Sequence, residues 1–234
     1  MDRGARAPTI AETLAREALT GRELFRLPMR APWLARAPRG DGGPVLLLPG
    51  LAATDASLVP LRNYLNRLGH DARSLGLGRV GPNVAHTVPL VIERIRSIRD
   101  ECGRKVALVG QSIGGVLARE STRQDPSLVR RIVTFGTPVT GGPEYTATRS
   151  AYTPEQRRRI QDVIDARNRV PIGVPITAIW SRNDGIVAPS ACIDRVQAGV
   201  EHVEVSSSHL GMGLDPDVWT IVAKRLAASP RPRS

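Results

Sequence analysis

Aromatic residues make up only 3% of the 234 positions, and cysteine occurs only at Cys102 and Cys192. The core must therefore be built from leucine, valine, isoleucine and alanine. The two cysteines lack both a C-x-x-C motif and metal-ligand spacing, so we expect them to pack as small apolar side chains and expect no metal site. No apolar run approaches the roughly 20 residues that span a bilayer. No secretory signal is recognisable at the N-terminus, which predicts a cytoplasmic protein.

Lysine is also scarce, occurring only at Lys105 and Lys224, although the formal net charge is +11. The positive charge is therefore nearly all arginine, and it is spread along the chain. Its densest group, residues 157–159, lies in a stretch with a helical pattern. A nucleic-acid-binding domain gathers its basic residues on one face, so nucleic acid is not an expected partner. Attraction to anionic lipid headgroups or anionic substrates fits the charge better.

The first 43 residues differ in pattern from the rest of the chain. Residues 9–27 carry apolar side chains at helical spacing and predict an amphipathic helix. Residues 28–44 are rich in proline and glycine, which predicts a connecting arm. We expect this N-terminal region either to pack on the outside of the domain or to cover a substrate entrance. Peripheral membrane contact through the amphipathic helix is a further hypothesis.

Residues 44–228 alternate between short apolar runs and helical stretches, and residues 229–234 form a polar tail. Unbroken apolar runs are typical of strands buried on both faces, so the pattern predicts a mostly parallel central sheet flanked by helices. Strands are predicted at 45–48, 71–75, 106–109, 132–135, 176–180 and 202–205, and helices at 55–68, 83–101, 113–123, 154–169 and 216–227.

The segment Gly110-Gln111-Ser112-Ile113-Gly114 matches G-x-S-x-G between a predicted strand and a predicted helix. So tight a turn leaves no room for side chains two positions either side of the serine, which explains Gly110 and Gly114. Ser112 would stand at a helix N-terminus, where backbone N–H groups stabilise negative charge. The motif alone arises often by chance, but its strand–turn–helix context favours a nucleophile.

A second turn of interest follows the first predicted strand, at Pro49-Gly50-Leu51. Gly50 allows the backbone to approach a ligand closely. In this geometry the N–H groups of Leu51 and Ile113 would both point at a carbonyl oxygen and form an oxyanion hole. An ordinary strand-to-helix turn explains Pro-Gly equally well, so this prediction depends on the other motifs.

A serine nucleophile needs a base, and the sequence has four histidines. Proteins with a G-x-S-x-G turn of this kind, called a nucleophile elbow, carry serine, acid and histidine in that chain order. His70 and His86 precede Ser112, and we expect both at the surface near helix boundaries. His209 lies in a loop after the last predicted strand, where open α/β sheets place their sites, and is therefore preferred to His202, which opens that strand.

The acid that would orient the imidazole is Asp184, which follows the predicted strand 176–180 in Asn183-Asp184-Gly185. Turn chemistry alone also accounts for this tripeptide, and the two explanations are compatible. Asp194 is predicted in a helical stretch and Asp215 as a helix cap, so both rank below Asp184.

Together these segments resemble the α/β-hydrolase family, specifically its lipases and esterases, over roughly residues 44–228. The resemblance rests on Leu48–Leu51, Gly110–Gly114, Phe135–Pro138, and Asp184 with His209. It implies an α/β-hydrolase fold and no cofactor. Pro49-Gly50 replaces the His-Gly common in the family, a variant found in many lipases. Residues 139–174 are short for a cap domain, which implies a minimal lid and a relatively open site.

The predicted function is a serine ester hydrolase that forms an acyl-enzyme on a small-molecule or lipid-like ester. Ser112 attacks the carbonyl, His209 takes its proton and Asp184 orients the imidazole. An acyltransferase or thioesterase would use the same three residues, so the sequence does not separate these activities. A non-catalytic binding protein is the alternative of a different class, but such proteins usually lose a member of the triad.

Overall fold

A single six-stranded sheet forms the centre of the computed structural model, which describes residues 6–228. Its spatial order is β2-β1-β3-β4-β5-β6, and every neighbouring pair is parallel. The prediction of a parallel sheet is therefore confirmed. The polar tail predicted at 229–234 lies outside the described residues. The strands are β1 (Pro44–Leu48), β2 (Asp71–Ser74), β3 (Val106–Gln111), β4 (Val129–Phe135), β5 (Ile176–Ser181) and β6 (Glu201–Val205).

Seven α-helices accompany the sheet within residues 6–228, joined by loops and short 3₁₀ turns. They are α1 (Ile10–Glu17), α2 (Thr20–Leu34), α3 (Val59–Arg67), α4 (Val84–Cys102), α5 (Ile113–Gln124), α6 (Pro154–Asn168) and α7 (Pro216–Ala227). The strand and helix boundaries from residue 44 onward lie within a few positions of those that the periodicity predicts.

Apolar side chains fill the space on both faces of the sheet, and β1 shows how. All five of its residues are buried. Val45 and Leu47 pack in one cluster with side chains of α3 and α7, while Leu46 and Leu48 pack in another with side chains of α4 and α5. Successive side chains of a strand point to opposite faces, so an uninterrupted apolar run is what a doubly covered strand requires.

The N-terminal region departs from the prediction of one helix over 9–27 followed by an arm. The chain turns at residues 18–19, and α2 then continues through Pro28 and Pro32 as far as Leu34. The arm prediction is therefore wrong for residues 28–34. Both prolines are exposed, so water can solvate the carbonyl groups that lose their N–H partners.

Contacts with α7 hold α2 in place despite its prolines. Arg26 and Arg30 reach the Asp217 carboxylate, at 2.5 and 3.2 Å. Leu34 is buried in the same cluster as Trp219. These tertiary contacts outweigh the low helix propensity of proline, and local sequence patterns do not report them.

The outer face of α1 and α2 carries an apolar row in which every side chain is more than half exposed. The guanidinium groups of Arg30 and Arg36 lie 5.9 and 5.7 Å from the ring centre of Trp33, a member of the row. Across the described part of the chain, no helix combines the length and apolarity needed to cross a membrane. The row consists of Ile10, Leu14, Leu24, Phe25, Met29 and Trp33.

Candidate active site

The candidate site lies at the carboxyl-terminal edge of the sheet. Because all the strands are parallel, the loops that follow β1, β3, β4, β5 and β6 emerge at this edge. These loops carry the predicted site residues, and they bring together positions that are far apart in the sequence. Open α/β sheets generally bind ligands at this edge.

Ser112 occupies the turn between β3 and α5 with φ 53° and ψ −123°. Its backbone N–H donates to the carbonyl of Phe135 at 2.9 Å, which ties the turn to the end of β4. Among residues 6–228, only Ser112 and Ala52 have positive φ without being glycine. Both lie in the loops predicted to carry the nucleophile and the oxyanion hole, and such strain collects at functional sites.

The glycines flanking Ser112 leave space that no side chain can share. A Cβ atom at Gly110 would lie 2.5 Å from the backbone N and Cα of Gly115. One at Gly114 would lie 2.1 Å from the carbonyl oxygen of Leu48. Real Cβ atoms do not approach backbone this closely. Glycine at position 110 lets α5 start directly against β3, and glycine at position 114 lets it approach the end of β1.

The loop after β1 lies beside the serine. A Cβ atom at Gly50 would be 3.6 Å from the Cβ of Ser112, an ordinary van der Waals contact. Leu51 and Ile113, the predicted oxyanion donors, both line the cavity that Ser112 also lines. The strained Ala52 is fixed by its N–H, which donates to the carbonyl of Val80 at 2.8 Å.

Asp184 and His209 form a buried pair. The Oδ2 atom of Asp184 lies 2.7 Å from Nδ1 of His209. Its Oδ1 atom accepts from the N–H groups of Ile186 and Val187, at 2.9 and 2.7 Å. The carboxylate is thus fixed by its own loop, and the Asp184 contact leaves Nε2 as the ring nitrogen available for chemistry.

The surroundings of His209 make its imidazole a stronger base. Burial by itself lowers the pKa of His209, but the charge of Asp184, its hydrogen bond to Nδ1 and the charge of Glu17 outweigh burial. The net result is a pKa above the usual value of histidine. A base with a raised pKa takes a proton from a hydroxyl more readily, provided that the pH keeps it neutral.

The other histidines are engaged elsewhere or lie apart from the site. Nε2 of His202, which lies in β6, accepts from the N–H of Asp194 at 2.9 Å, a structural role. His86 is exposed near the start of α4, as predicted. The prediction of a surface position is wrong for His70, which is 5% exposed and packs beneath Gly40.

The two lower-ranked acids also have structural roles. Asp194 lies in a loop after a short 3₁₀ helix, so the prediction of a helical position is wrong; it forms a buried ion pair with Arg119. The 3₁₀ helix Pro189–Cys192 ends because the backbone of Ile193 is extended, with φ −89° and ψ 112°. Asp215 caps α7 as predicted, accepting from the N–H of Asp217 at 2.8 Å.

Gly136 is a site residue to which the sequence assigned no role of its own. It has φ 59°, and a Cβ atom there would lie 2.9 Å from Nδ1 of His209 and 3.3 Å from Oδ2 of Asp184. Glycine at this position therefore makes room for the Asp–His pair. The available signal was the segment Phe135–Pro138, whose glycine directly follows a strand that ends beside the elbow.

A large, mainly apolar cavity of about 1100 Å³ opens at the site and includes Ser112 and His209 in its wall. This volume slightly exceeds the roughly 300–1000 Å³ usual for small-molecule pockets. Much of the apolar wall comes from Val116, Val139, Ile160, Val163, Ile164 and Leu214.

The segment 139–174 forms one side of this cavity. As predicted, it holds one α-helix, α6, with two short 3₁₀ turns before it. Thr153 and Gln156 form a capping box that starts α6, with hydrogen bonds of 3.2 and 2.8 Å. Among residues 6–228, no group of three or more His, Cys, Asp or Glu side chains is arranged to hold a metal ion.

The chain matches no protein-family model and no curated protein. Solved structures do match it. The mature lipase BlEst2 of Bacillus licheniformis superimposes with a TM-score of 0.63 at 15% identity, covering 83% of this chain and 95% of that one. For the monoacylglycerol lipase of Paleococcus ferrophilus the TM-score is 0.59 at 16% identity, covering 82% and 96%.

A third match is MGS-MChE2, an α/β-hydrolase enzyme from the metagenome of lagoon sediments at Mar Chica, Morocco. Its TM-score is 0.56 at 19% identity, covering 80% of this chain and 91% of that one. The protein therefore has the α/β-hydrolase fold, as the sequence predicts. The resemblance to lipases and esterases is confirmed at the level of the fold.

Proposed function

We propose that the protein is a serine carboxylic-ester hydrolase that acts through an acyl-enzyme intermediate. The observation that carries the proposal is the pairing of a strained serine at the elbow with a buried Asp184–His209 pair on the same cavity. The matching solved structures support hydrolase chemistry, since those named above are called lipases or a hydrolase enzyme.

In the proposed mechanism, Oγ of Ser112 attacks the ester carbonyl carbon while Nε2 of His209 takes the hydroxyl proton. The tetrahedral intermediate collapses as the bond to the alcohol oxygen breaks and His209 gives that oxygen its proton. Water then attacks the acyl-enzyme with His209 again as base, which releases the acid and restores Ser112. Asp184 holds the ring in the required tautomer and stabilises the imidazolium.

The N–H groups of Leu51 and Ile113 are the proposed donors to the oxyanion. Ile113 is the first residue of α5, so its N–H has no acceptor within the helix and the helix dipole favours an anion there. Each donor of this kind contributes about 3 kcal/mol to transition-state stabilisation in a site shielded from water.

The proposed substrates are esters with an apolar, lipid-like acyl group, because the cavity is large and mainly apolar.

The apolar row of α1 and α2 supports contact with a lipid surface. Thr20, at the start of α2, lines the cavity, and Leu24 of the row lies about one helical turn further along α2. Arginines beside the row and the net charge of +11 favour an anionic surface.

Hydrolysis of p-nitrophenyl esters of short and medium acyl chain tests the proposal. We expect turnover by the wild type and a loss of about 10⁴-fold or more in Ser112→Ala and His209→Ala. Ser127→Ala, near the other end of α5, and His86→Ala serve as matched controls and should retain activity. Full activity in Ser112→Ala would refute the proposal. Adding an alcohol and comparing ester with acid products distinguishes acyl transfer from hydrolysis.

A further inference from the structure

A carboxylate from outside the sheet, that of Glu17, joins the two loops that carry Asp184 and His209. Its Oε1 atom accepts from the N–H of Gly185 at 3.0 Å and from the N–H of His209 at 2.9 Å. Its Oε2 atom accepts from the N–H of Leu210 at 2.9 Å. One side chain thus links residues 182–188, the acid loop, to residues 206–214, the base loop.

Without these three hydrogen bonds, the position of Glu17 in its helix would be unfavourable. Glu17 is the last residue of α1, where the helix dipole is negative and an acidic side chain costs about 0.3–1 kcal/mol. Three charge-assisted hydrogen bonds from backbone N–H groups offset this cost. The carboxylate therefore has its binding partners in the two loops and not in its own helix.

The neighbours of Glu17 fix α1 against the acid loop. Thr13 Oγ1 donates to the carbonyl of Gly185 at 2.6 Å, and Arg16 donates to the carbonyl of Asp184 at 3.0 Å. A Cβ atom at Gly185 would lie 2.9 Å from Oε1 of Glu17 and 3.0 Å from the Cβ of Arg16. Glycine at position 185 therefore lets the helix approach the loop closely.

A further contact ties the start of α2 to the base loop. The hydroxyl groups of Thr20 and Ser208 lie 2.8 Å apart. The segment from Thr13 to Thr20 consequently contacts both loops on the side away from the sheet. Thr20 lines the cavity, whereas Glu17 does not.

We propose that Glu17 is a positioning residue, which holds the acid and base loops in register so that the His209 imidazole stays on Asp184 and oriented toward Ser112. This inference rests on the proposed ester hydrolysis. In this proposal, α1 and the start of α2 stabilise the positions of Asp184 and His209 by contacting the loops that carry them.

The electrostatic consequence follows from the groups around His209. Asp184 contacts its ring, Glu17 contacts its backbone N–H, and Arg16 lies on the carbonyl of Asp184. Cys192 is also close to Asp184, and burial keeps its thiol neutral by raising its pKa. The charge of Glu17 raises the pKa of His209. Neutralising Glu17 should therefore move the acid limb of kcat/KM to lower pH, because the base stays unprotonated further down the pH scale.

The test compares Glu17→Ala and Glu17→Gln with Ala15→Ser, a control on an exposed side chain of the same helix that lies outside the apolar row. We expect Glu17→Ala to lower kcat by about tenfold or more, with KM changed by less than about twofold, since a misplaced base costs up to about 10²-fold per ångström. Glu17→Gln keeps the shape and should shift the pH profile. Thermal unfolding of each variant controls for stability.

A second variant and a measurement independent of turnover complete the test. In Gly185→Ala the new methyl group lies on the acid loop and pushes α1 away from that loop. This variant should therefore reproduce the loss of kcat even if Glu17→Ala does not fold. Amide hydrogen exchange at His209 and Leu210 should be slow in the wild type and faster in Glu17→Ala.

The outcomes separate this inference from the proposed function. An active wild type whose Glu17 variants match Ala15→Ser in kcat and in pH profile would overturn the positioning role. A wild type that hydrolyses no ester would contradict the proposed function. In that case slow exchange at His209 that depends on Glu17 would still support the link between the loops, and fast exchange in the wild type would overturn it.

Discussion

Adding one methyl group at Gly136 should impair the candidate active site without unfolding the protein. Gly136 follows β4 with φ 59°. In Gly136→Ala the new Cβ would lie 2.9 Å from Nδ1 and 3.0 Å from Cε1 of His209. Ordinary contacts are about 3.5–4.0 Å, so the ring has to move by roughly 0.5 Å. Such a movement disturbs the contact of 2.7 Å between the ring and Asp184.

The expected size of the effect follows from these distances. If a displacement of 1 Å costs about 10²-fold, half of that costs about tenfold in kcat/KM. Alanine in the left-handed region also costs about 1–2 kcal/mol of stability. Gly103→Ala is a matched control for that cost, because Gly103 has φ 63° and open space around its Cα.

Both variants should therefore lose the free energy of unfolding that left-handed alanine costs, as measured in urea, while only Gly136→Ala loses activity on p-nitrophenyl butyrate. The comparison isolates the contact with the Asp–His pair from the strain of the backbone. If kcat/KM of Gly136→Ala stays within about twofold of Gly103→Ala, the described packing of Gly136 against His209 does not matter for the reaction.

Three further predictions concern the pH dependence of the Asp184–His209 pair, a buried ion pair and the apolar row. The kcat/KM should fall as the pH drops through the raised pKa of His209. Asp184→Asn should move this acid limb of the pH–rate profile to lower pH. An acid limb that does not move would contradict the proposed effect of Asp184 on His209. Arg119→Met should cost about 3–5 kcal/mol in urea unfolding by leaving Asp194 buried without its partner, and a loss below about 1 kcal/mol would contradict this. Phe25→Ser should weaken co-sedimentation with phosphatidylglycerol vesicles, and unchanged binding would argue against the lipid-facing role of the apolar row.

The sheet and its helices could be predicted from the sequence because their signals are local. Apolar runs bounded by turn residues define the strands, and the elbow at Ser112 combines a strand, a helix start and two obligatory glycines in a few positions. The end of α2 could not be predicted in this way. Pro28 and Pro32 argue locally against a helix, and the packing of that helix on α7 decides otherwise.

The candidate site could be predicted from the sequence only in part, because some of its contacts join distant parts of the chain. Chain order and loop position single out Asp184 and His209, since both follow strands of a parallel sheet. The contact of Glu17 with His209 joins positions 192 apart. No periodicity or motif marks such a contact, which depends on how the N-terminal helices dock. Asp194 likewise acquires its role from a distant arginine.

The proposed mechanism requires that Ser112 is the nucleophile that becomes acylated. Mass spectrometry of wild type and Ser112→Ala, each treated with a fluorophosphonate, tests this requirement. We expect a single adduct in the wild type, on the peptide that contains Ser112, and none in the variant. An unmodified wild type, or an adduct that persists in Ser112→Ala, would contradict it.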